Sequence, residues 1–230
     1  MSIERALDDL RAGKFVLIHD ATNREDEVDM VIAAEATRQE HVARMRLDGG
    51  GLICVALHPR IADNLGLPYM TDIYALASER YDVLAAVEPN DLPYDERSAF
   101  SISVNHRRTR TGVTDVDRAL TISELGKLGA IALEKRAVEE FGRNFRSPGH
   151  VPILRAADQL LKERQGHTEL AVALAEMAGI TPVVAICEML DARTNRALSL
   201  RAAIEYAEAR GLVCLSGKDV AQAYRKAAVK

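Results

Sequence analysis

Asn23-Arg24-Glu25-Asp26-Glu27-Val28-Asp29 runs straight into Met30-Val31-Ile32-Ala33-Ala34. Four carboxylates fall within five positions and meet an apolar run of strand character. In extended chain, alternation sets Glu25, Glu27 and Asp29 on one face and Arg24, Asp26 and Val28 on the other. Three carboxylates on one face repel. They are tolerated when a cation lies among them, when one holds a proton, or when the loop is fully solvated. The first two conditions are chemistry and the third is a solvated acidic turn; this stretch alone leaves them open.

Outward from that junction, strand-like and helix-like segments alternate. An amphipathic helix precedes it, closed by Gly13, and 15–18 is a short β run before the acidic loop. Beyond the strand at 29–34, Thr37 is placed to cap a helix carrying Val42, Met45 and Leu47, closed by Gly49-Gly50-Gly51. Residues 52–57 read as a buried strand. From 59 to 93 the pattern weakens into loop, short helices or a lid. A strand at 101–104 and a basic segment at 105–110 follow. A helix is expected over 117–141 with a break near Gly126 or Gly129, then a loop at 145–150 and a strand at 151–154. Thr168 caps a helix over 169–177; a strand at 182–187, a helix at 200–210, a strand at 212–215 and a closing helix complete the chain. This order predicts an α/β (α+β) architecture, a mixed sheet covered by helices; nothing in the composition marks a seam, and by length one domain over residues 1–230 is as expected as two small ones.

The chain has 230 residues, 48% hydrophobic and 28% charged, with a net charge of −4. That balance excludes general disorder and argues against nucleic-acid binding over a broad basic surface. Aromatics at 4% and no Trp weaken a base-stacking role. Cys54, Cys187 and Cys214 each lie in an apolar run; an odd count without CxxC spacing points away from disulfides and zinc, toward a reducing cytoplasm. The N-terminus lacks signal-peptide character, and the most apolar window is interrupted by Glu176, Pro182 and Glu188, so no membrane span is expected.

Arg164-Gln165-Gly166-His167-Thr168-Glu169 is the second anchor. An arginine, a small residue and free backbone amides at a helix start outline an anion site; the plain alternative is a cap beside a solvated arginine. His167 with the acidic loop suits a hard divalent ion, magnesium or manganese rather than zinc. Glu188 emerges at the end of an apolar strand, where site residues of α/β folds collect, and His150 stands ahead of another strand.

Taken in order, Asn-Arg-Glu-Asp-Glu-Val-Asp at 23–29, Gly-Leu-Ile-Cys at 51–54, Thr-Gly-Val-Thr at 111–114, Asp-Arg-Ala at 117–119, Arg-Ser-Pro-Gly-His at 146–150, Gly-His-Thr-Glu at 166–169 and Cys-Glu-Met at 187–189 resemble the 3,4-dihydroxy-2-butanone 4-phosphate synthases of riboflavin biosynthesis. The resemblance spans nearly the whole chain. It implies a three-layer α/β sandwich and a homodimer with sites near the interface. It also implies a magnesium-dependent enzyme, with no organic cofactor, that converts D-ribulose 5-phosphate to L-3,4-dihydroxy-2-butanone 4-phosphate and formate. By motif, Glu25 and His167 resemble the metal ligands. Arg24, Glu25 and Asp29, with Arg164, Gln165, Gly166, His167, Thr168 and Glu188, resemble the substrate contacts. His150 and Glu188 resemble the essential catalytic pair, joined by Asp29, Glu27 and Cys54 as candidates for the remaining chemistry. Nothing after Lys230 matches the GTP cyclohydrolase II domain of fused relatives, so the monofunctional form is expected. Ser147 and Thr114-Asp115-Val116 depart from the commoner family pattern and bear on loop geometry. A sugar-phosphate isomerase or aldolase shares the enediolate start but releases no formate; a nucleotide or RNA module using Arg107, Arg108, Arg110 and Arg146 is disfavoured by the acidic balance.

Overall fold

The computed structural model describes residues 2–88 and 91–227. Its strands are β1 (Val16–His19), β2 (Val28–Ala33), β3 (Cys54–Leu57), β4 (Phe100–His106), β5 (Phe145–Arg155), β6 (Val183–Glu188), β7 (Leu190–Asp191), β8 (Arg196–Ala197) and β9 (Val213–Ser216). The helices are α1 (Ile3–Arg11), α2 (Gln39–Arg44), α3 (Pro59–Leu65), α4 (Met70–Ala77), α5 (Asp82–Ala86), α6 (Asp115–Glu134), α7 (Val138–Asn144), α8 (His167–Met177), α9 (Leu200–Arg210) and α10 (Gly217–Ala227). Seven strands form one mixed sheet in the order β4-β5-β3-β6-β2-β1-β9, and β7 and β8 pair as a separate hairpin. The β3/β5 and β1/β9 pairs are parallel and the remaining pairs antiparallel.

Strand alternation sorts the side chains into two cores. Leu17, Met30, Ile32, Val55, Leu57 and Ile153 pack on one face with residues of α2, α3, α6 and α9. Val16, Ile18, Val31, Cys54, Ala56 and Ile186 pack on the other with α1, α8 and α10. The result is the expected three-layer sandwich. Because both faces are covered, the central strands are apolar on both sides, which is why they read as continuous runs. Helix α8 is buried at every residue from His167 to Ala175, so it is apolar nearly all round. The same alternation places Asp29, two before Val31, and Glu188, two after Ile186, on the α8 face; they are direct cross-strand partners at their strand ends.

Several boundaries differ from the sequence expectation for identifiable reasons. The long helix is not interrupted at Gly126 or Gly129. A Cβ on Gly126 would lie 2.4 Å from the Glu35 backbone nitrogen, so that glycine permits α6 to lie against the end of β2. The break comes at 135–137, and α7 follows. Thr37 does not cap α2; its hydroxyl donates to the Ala33 carbonyl, and the helix starts at Gln39 and runs on into a π-helical turn at Met45–Gly49. Thr168 lies inside the first turn of α8, whose N-cap is Gly166. The 145–150 loop is drawn into the long β5. The weak 59–93 pattern resolves into α3, which is half core, and α4 and α5, neither of which has a buried residue. Among the described residues no helix is long and apolar enough to cross a membrane.

Candidate active site

The acidic loop is a turn rather than an extension of β2. Asp26 has φ +56° and its carboxylate lies 2.9 Å from His19 Nε2, on the outside. Asp20, buried at the end of β1, organises the turn: its carboxylate accepts from the Glu25 and Glu27 backbone N–H groups at 3.1 and 3.2 Å. Glu25, Glu27 and Asp29 nonetheless line one cleft, as the alternation proposed, although only Asp29 stands there through strand geometry.

His167, the first residue of α8, closes the cluster. Its Nδ1 lies 3.0 Å from Glu25 Oε2 and its Nε2 lies 3.1 Å from the Glu27 carbonyl oxygen. Both partners are pure acceptors, so both ring nitrogens carry hydrogen and the ring is an imidazolium. Burial works against that charge, but Asp29, Glu25 and Asp20 outweigh it and raise the group to about 10. The hydrogen bond from His167 lowers Glu25. Asp29 is raised to about 7, by burial first and then by Glu188, Glu25 and Glu27, with His167 opposing. Glu27 is raised for the same first reason. Ligand atoms of Asp20, Glu25 and His167 lie within 4.8 Å of one another, and the buried Asp29 Oδ1 has no hydrogen-bond partner.

The cleft has a volume of about 160 Å³ and is also lined by Glu188, Cys54, Thr168 and Arg164. Glu188 is held by the Leu52 N–H, which donates to its Oε2 at 2.6 Å. Burial, then Glu188 and Asp29, push the Cys54 thiol well up, so it is protonated at neutral pH and unsuited to nucleophilic attack. Arg164 donates to the fully buried Glu169 at 2.6 Å and to Asp95, whose carboxylate also takes a hydrogen bond from Arg24 at 2.9 Å. The segment 92–99 carrying Asp95 separates this cleft from a wider one of about 520 Å³, which Arg24, Arg164 and Gln165 line.

A family model described as 3,4-dihydroxy-2-butanone 4-phosphate synthase matches residues 4–223. The chain belongs to that family. A 3,4-dihydroxy-2-butanone 4-phosphate synthase of Archaeoglobus fulgidus is 52% identical over 227 residues, covering 98% of this chain and 95% of that protein. One from Methanothermobacter thermautotrophicus is 53% identical over 222 residues, covering 96% and 95%. A solved structure of a 3,4-dihydroxy-2-butanone 4-phosphate synthase in complex with two magnesium ions aligns with TM-score 0.74 at 31% identity, over 95% of this chain and 94% of that one. The chain is thus a synthase acting in riboflavin biosynthesis.

One motif of the synthase stands apart. His150 does not line the cleft that holds Glu188; it is exposed on β5, where its neighbour is Asn105. The fold therefore gathers Arg24, Glu25, Glu27, Asp29, Cys54, Glu188, Arg164, Gln165, His167 and Thr168 around two adjoining clefts; it leaves Gly166 buried as the N-cap of α8, lining neither, and the other half of the motif-derived pair outside them. Sequence reading gave no site role to Asp20, Asp95, Asn105 or Glu169, the last although it lies in the quoted 164–169 anchor. Asp20 had one signal, a carboxylate directly after the buried β1; Asp95 lies in a segment without periodicity and had none.

Proposed function

We propose that the chain is a divalent-metal-dependent lyase, using magnesium or manganese and no organic cofactor, that converts D-ribulose 5-phosphate to L-3,4-dihydroxy-2-butanone 4-phosphate and formate in the cytoplasm. The observation that carries this reading is the meeting of Asp20, Glu25, His167 and the unpartnered Asp29 Oδ1 beside Arg164 and the start of α8. Several carboxylate oxygens and one imidazole fit a hard cation better than zinc. Glu25 and His167 would hold it, with Asp20 as a further oxygen. Bound there, the cation would supply positive charge that stabilises negative charge on a sugar oxygen.

The remaining work falls to the chain. The phosphate is held by Arg164, Thr168 and the start of α8, an eleven-residue helix without a side-chain cap whose N-terminal partial charge favours an anion. Arg24 and Gln165 reach the same anion from the wider cleft. Asp29, titrating near neutrality, both takes and returns a proton, and Glu27, also raised, assists from the turn. Glu188, fixed through one oxygen by Leu52, presents the other to the substrate. Cys54 is a neutral wall. Burial of the substrate among these groups keeps several successive proton transfers in one small space.

The reading includes a homodimer whose sites each combine two copies, His150 coming from the second. The exposed apolar side chains Leu47, Leu52, Val113, Val116 and Leu190 support this. They lie on neighbouring segments, tied by the Arg46–Asp115 pair at 3.0 Å and the Gly50–Met189 bridge. Residues 1–230 are taken as one synthase domain.

The test is formate release from D-ribulose 5-phosphate by the purified chain with magnesium, with manganese and with excess EDTA. Metal-dependent formate is expected. Conversion of the substrate without formate would replace this reading by an isomerase or aldolase.

A further inference from the structure

We propose that Asn105 is a positioning residue that holds His150 in one tautomer, Nδ1 accepting and Nε2 bearing the hydrogen, so that His150 serves as a hydrogen-bond donor to a substrate oxygen and not as a base. This rests on the proposed catalytic role of His150.

The geometry leaves little choice. In the β4/β5 ladder Val104 pairs with Val151 while Asn105 pairs with Arg146, so residues 147–150 bulge out of β5. Bulges re-aim side chains and are common beside active sites. The turned-out His150 backbone N–H donates to Asn105 Oδ1 at 2.8 Å. That bond identifies the amide oxygen, so the group facing His150 Nδ1 at 3.1 Å is Nδ2, which can only donate. A hydrogen on Nδ1 would point at the amide's own hydrogens. The neutral ring therefore carries it on Nε2.

The contact is built from several sides. Asn105 is 4% exposed although His150 is at the surface. Two glycines from separate motifs make room for it. A Cβ on Gly112, at φ +93°, would lie 2.1 Å from Asn105 Nδ2, and a Cβ on Gly149 would lie 2.2 Å from the Asn105 backbone nitrogen. Ser103 braces the same bulge, accepting from Ser147 Oγ at its carbonyl and from the Gly149 N–H at its hydroxyl. Thr-Gly-Val-Thr and Pro-Gly-His thus converge on one buried amide. A neutral imidazole with a fixed Nε2–H is suited to stabilising charge that develops on oxygen. Proton abstraction then belongs to the carboxylates of the cleft.

Ring ¹⁵N spectra of the wild-type dimer at about pH 9, where ordinary imidazoles are neutral, test the tautomer directly. The His150 signals are assigned by their loss in His150→Gln. A hydrogen on Nε2 is expected; one on Nδ1 overturns the proposal, and no variant is needed for that result. Asn105→Asp keeps the shape and the acceptor for the backbone N–H but removes the donor. It is expected to move the hydrogen to Nδ1 and lower kcat for formate release at least about tenfold, with little change in KM. An unchanged spectrum in that variant also overturns the proposal. A shifted tautomer with unchanged kcat keeps the contact but refutes a role for His150 in the reaction, separating the two failures.

Discussion

His167 donates from both ring nitrogens, and a cation can bind it only by taking the place of a proton. Because the folded protein holds that proton up to about pH 10, metal affinity is expected to rise with pH, by up to about tenfold per unit below that value, and binding to release protons. Calorimetry in buffers of different ionisation heat reads the number released; none would remove His167 from the ligand set. Glu25→Gln and His167→Ala are expected to abolish metal-dependent formate release while the chain remains folded, and full activity in either would sink the metal assignment. Asp95 makes a different prediction. Its carboxylate lies between Arg24 and Arg164, the groups assigned to the phosphate. Two anions about 4 Å apart in a partly dry site repel by ~1–4 kcal/mol, so a phosphate competes with Asp95 for those guanidinium groups. Asp95→Asn is expected to tighten binding of inorganic phosphate about tenfold by titration, and weaker binding would show that Asp95 instead holds the arginines in place.

Elements carry the site by how closely they approach. Helix α6 touches the strand end that precedes α2 only because Gly126 has no side chain, and the nearest obstacle is backbone, which cannot swing away. Gly126→Ala is expected to lower stability by roughly 1–3 kcal/mol as α6 is pushed off the sheet, read as a lower urea midpoint with unchanged slope. Helix α8 is held differently. Its burial on all sides fixes the start of the helix, so His167, Thr168 and the chain leading into them are positioned by the core and not by a cap. The turn of Asp20 and the bulge of His150 are the two irregular pieces hung on this frame.

At the scale of the molecule, His150 is absent from the cleft that holds Glu188, and the proposed dimer completes each site with a second chain. Mixing inactive His150→Ala and Glu188→Ala chains and allowing subunits to exchange should restore about a quarter of the wild-type activity, since half of the random dimers would have one intact site of two. Lack of recovery, with exchange shown by mass, would mean that each site is built from one chain. Sedimentation of the wild type should give a dimer that weakens on Leu52→Lys, because the charge falls in the exposed apolar patch.

The layered fold was legible from order and period, whereas the candidate site residues rested on the ordered family motifs. Apolar runs at β2, β3 and β6 mark strands covered on both faces, because burial leaves its stamp on adjacent residues; Gly-His-Thr-Glu marks a helix start, and the anion assigned to it is part of the proposed function. Helix starts at Thr37 and Thr168 were misread because a hydroxyl near a helix bonds wherever the backbone leaves an acceptor or a space. What tertiary structure alone decided is which groups share a cavity. Glu25 reaches His167 across 142 positions, Arg24 reaches Asp95 across 71, and Asn105 reaches His150 across 45. Local pattern records how a residue relates to its own element. The charge balance of the cleft, the proton on His167 and the tautomer of His150 depend instead on segments that meet only when the two cores close.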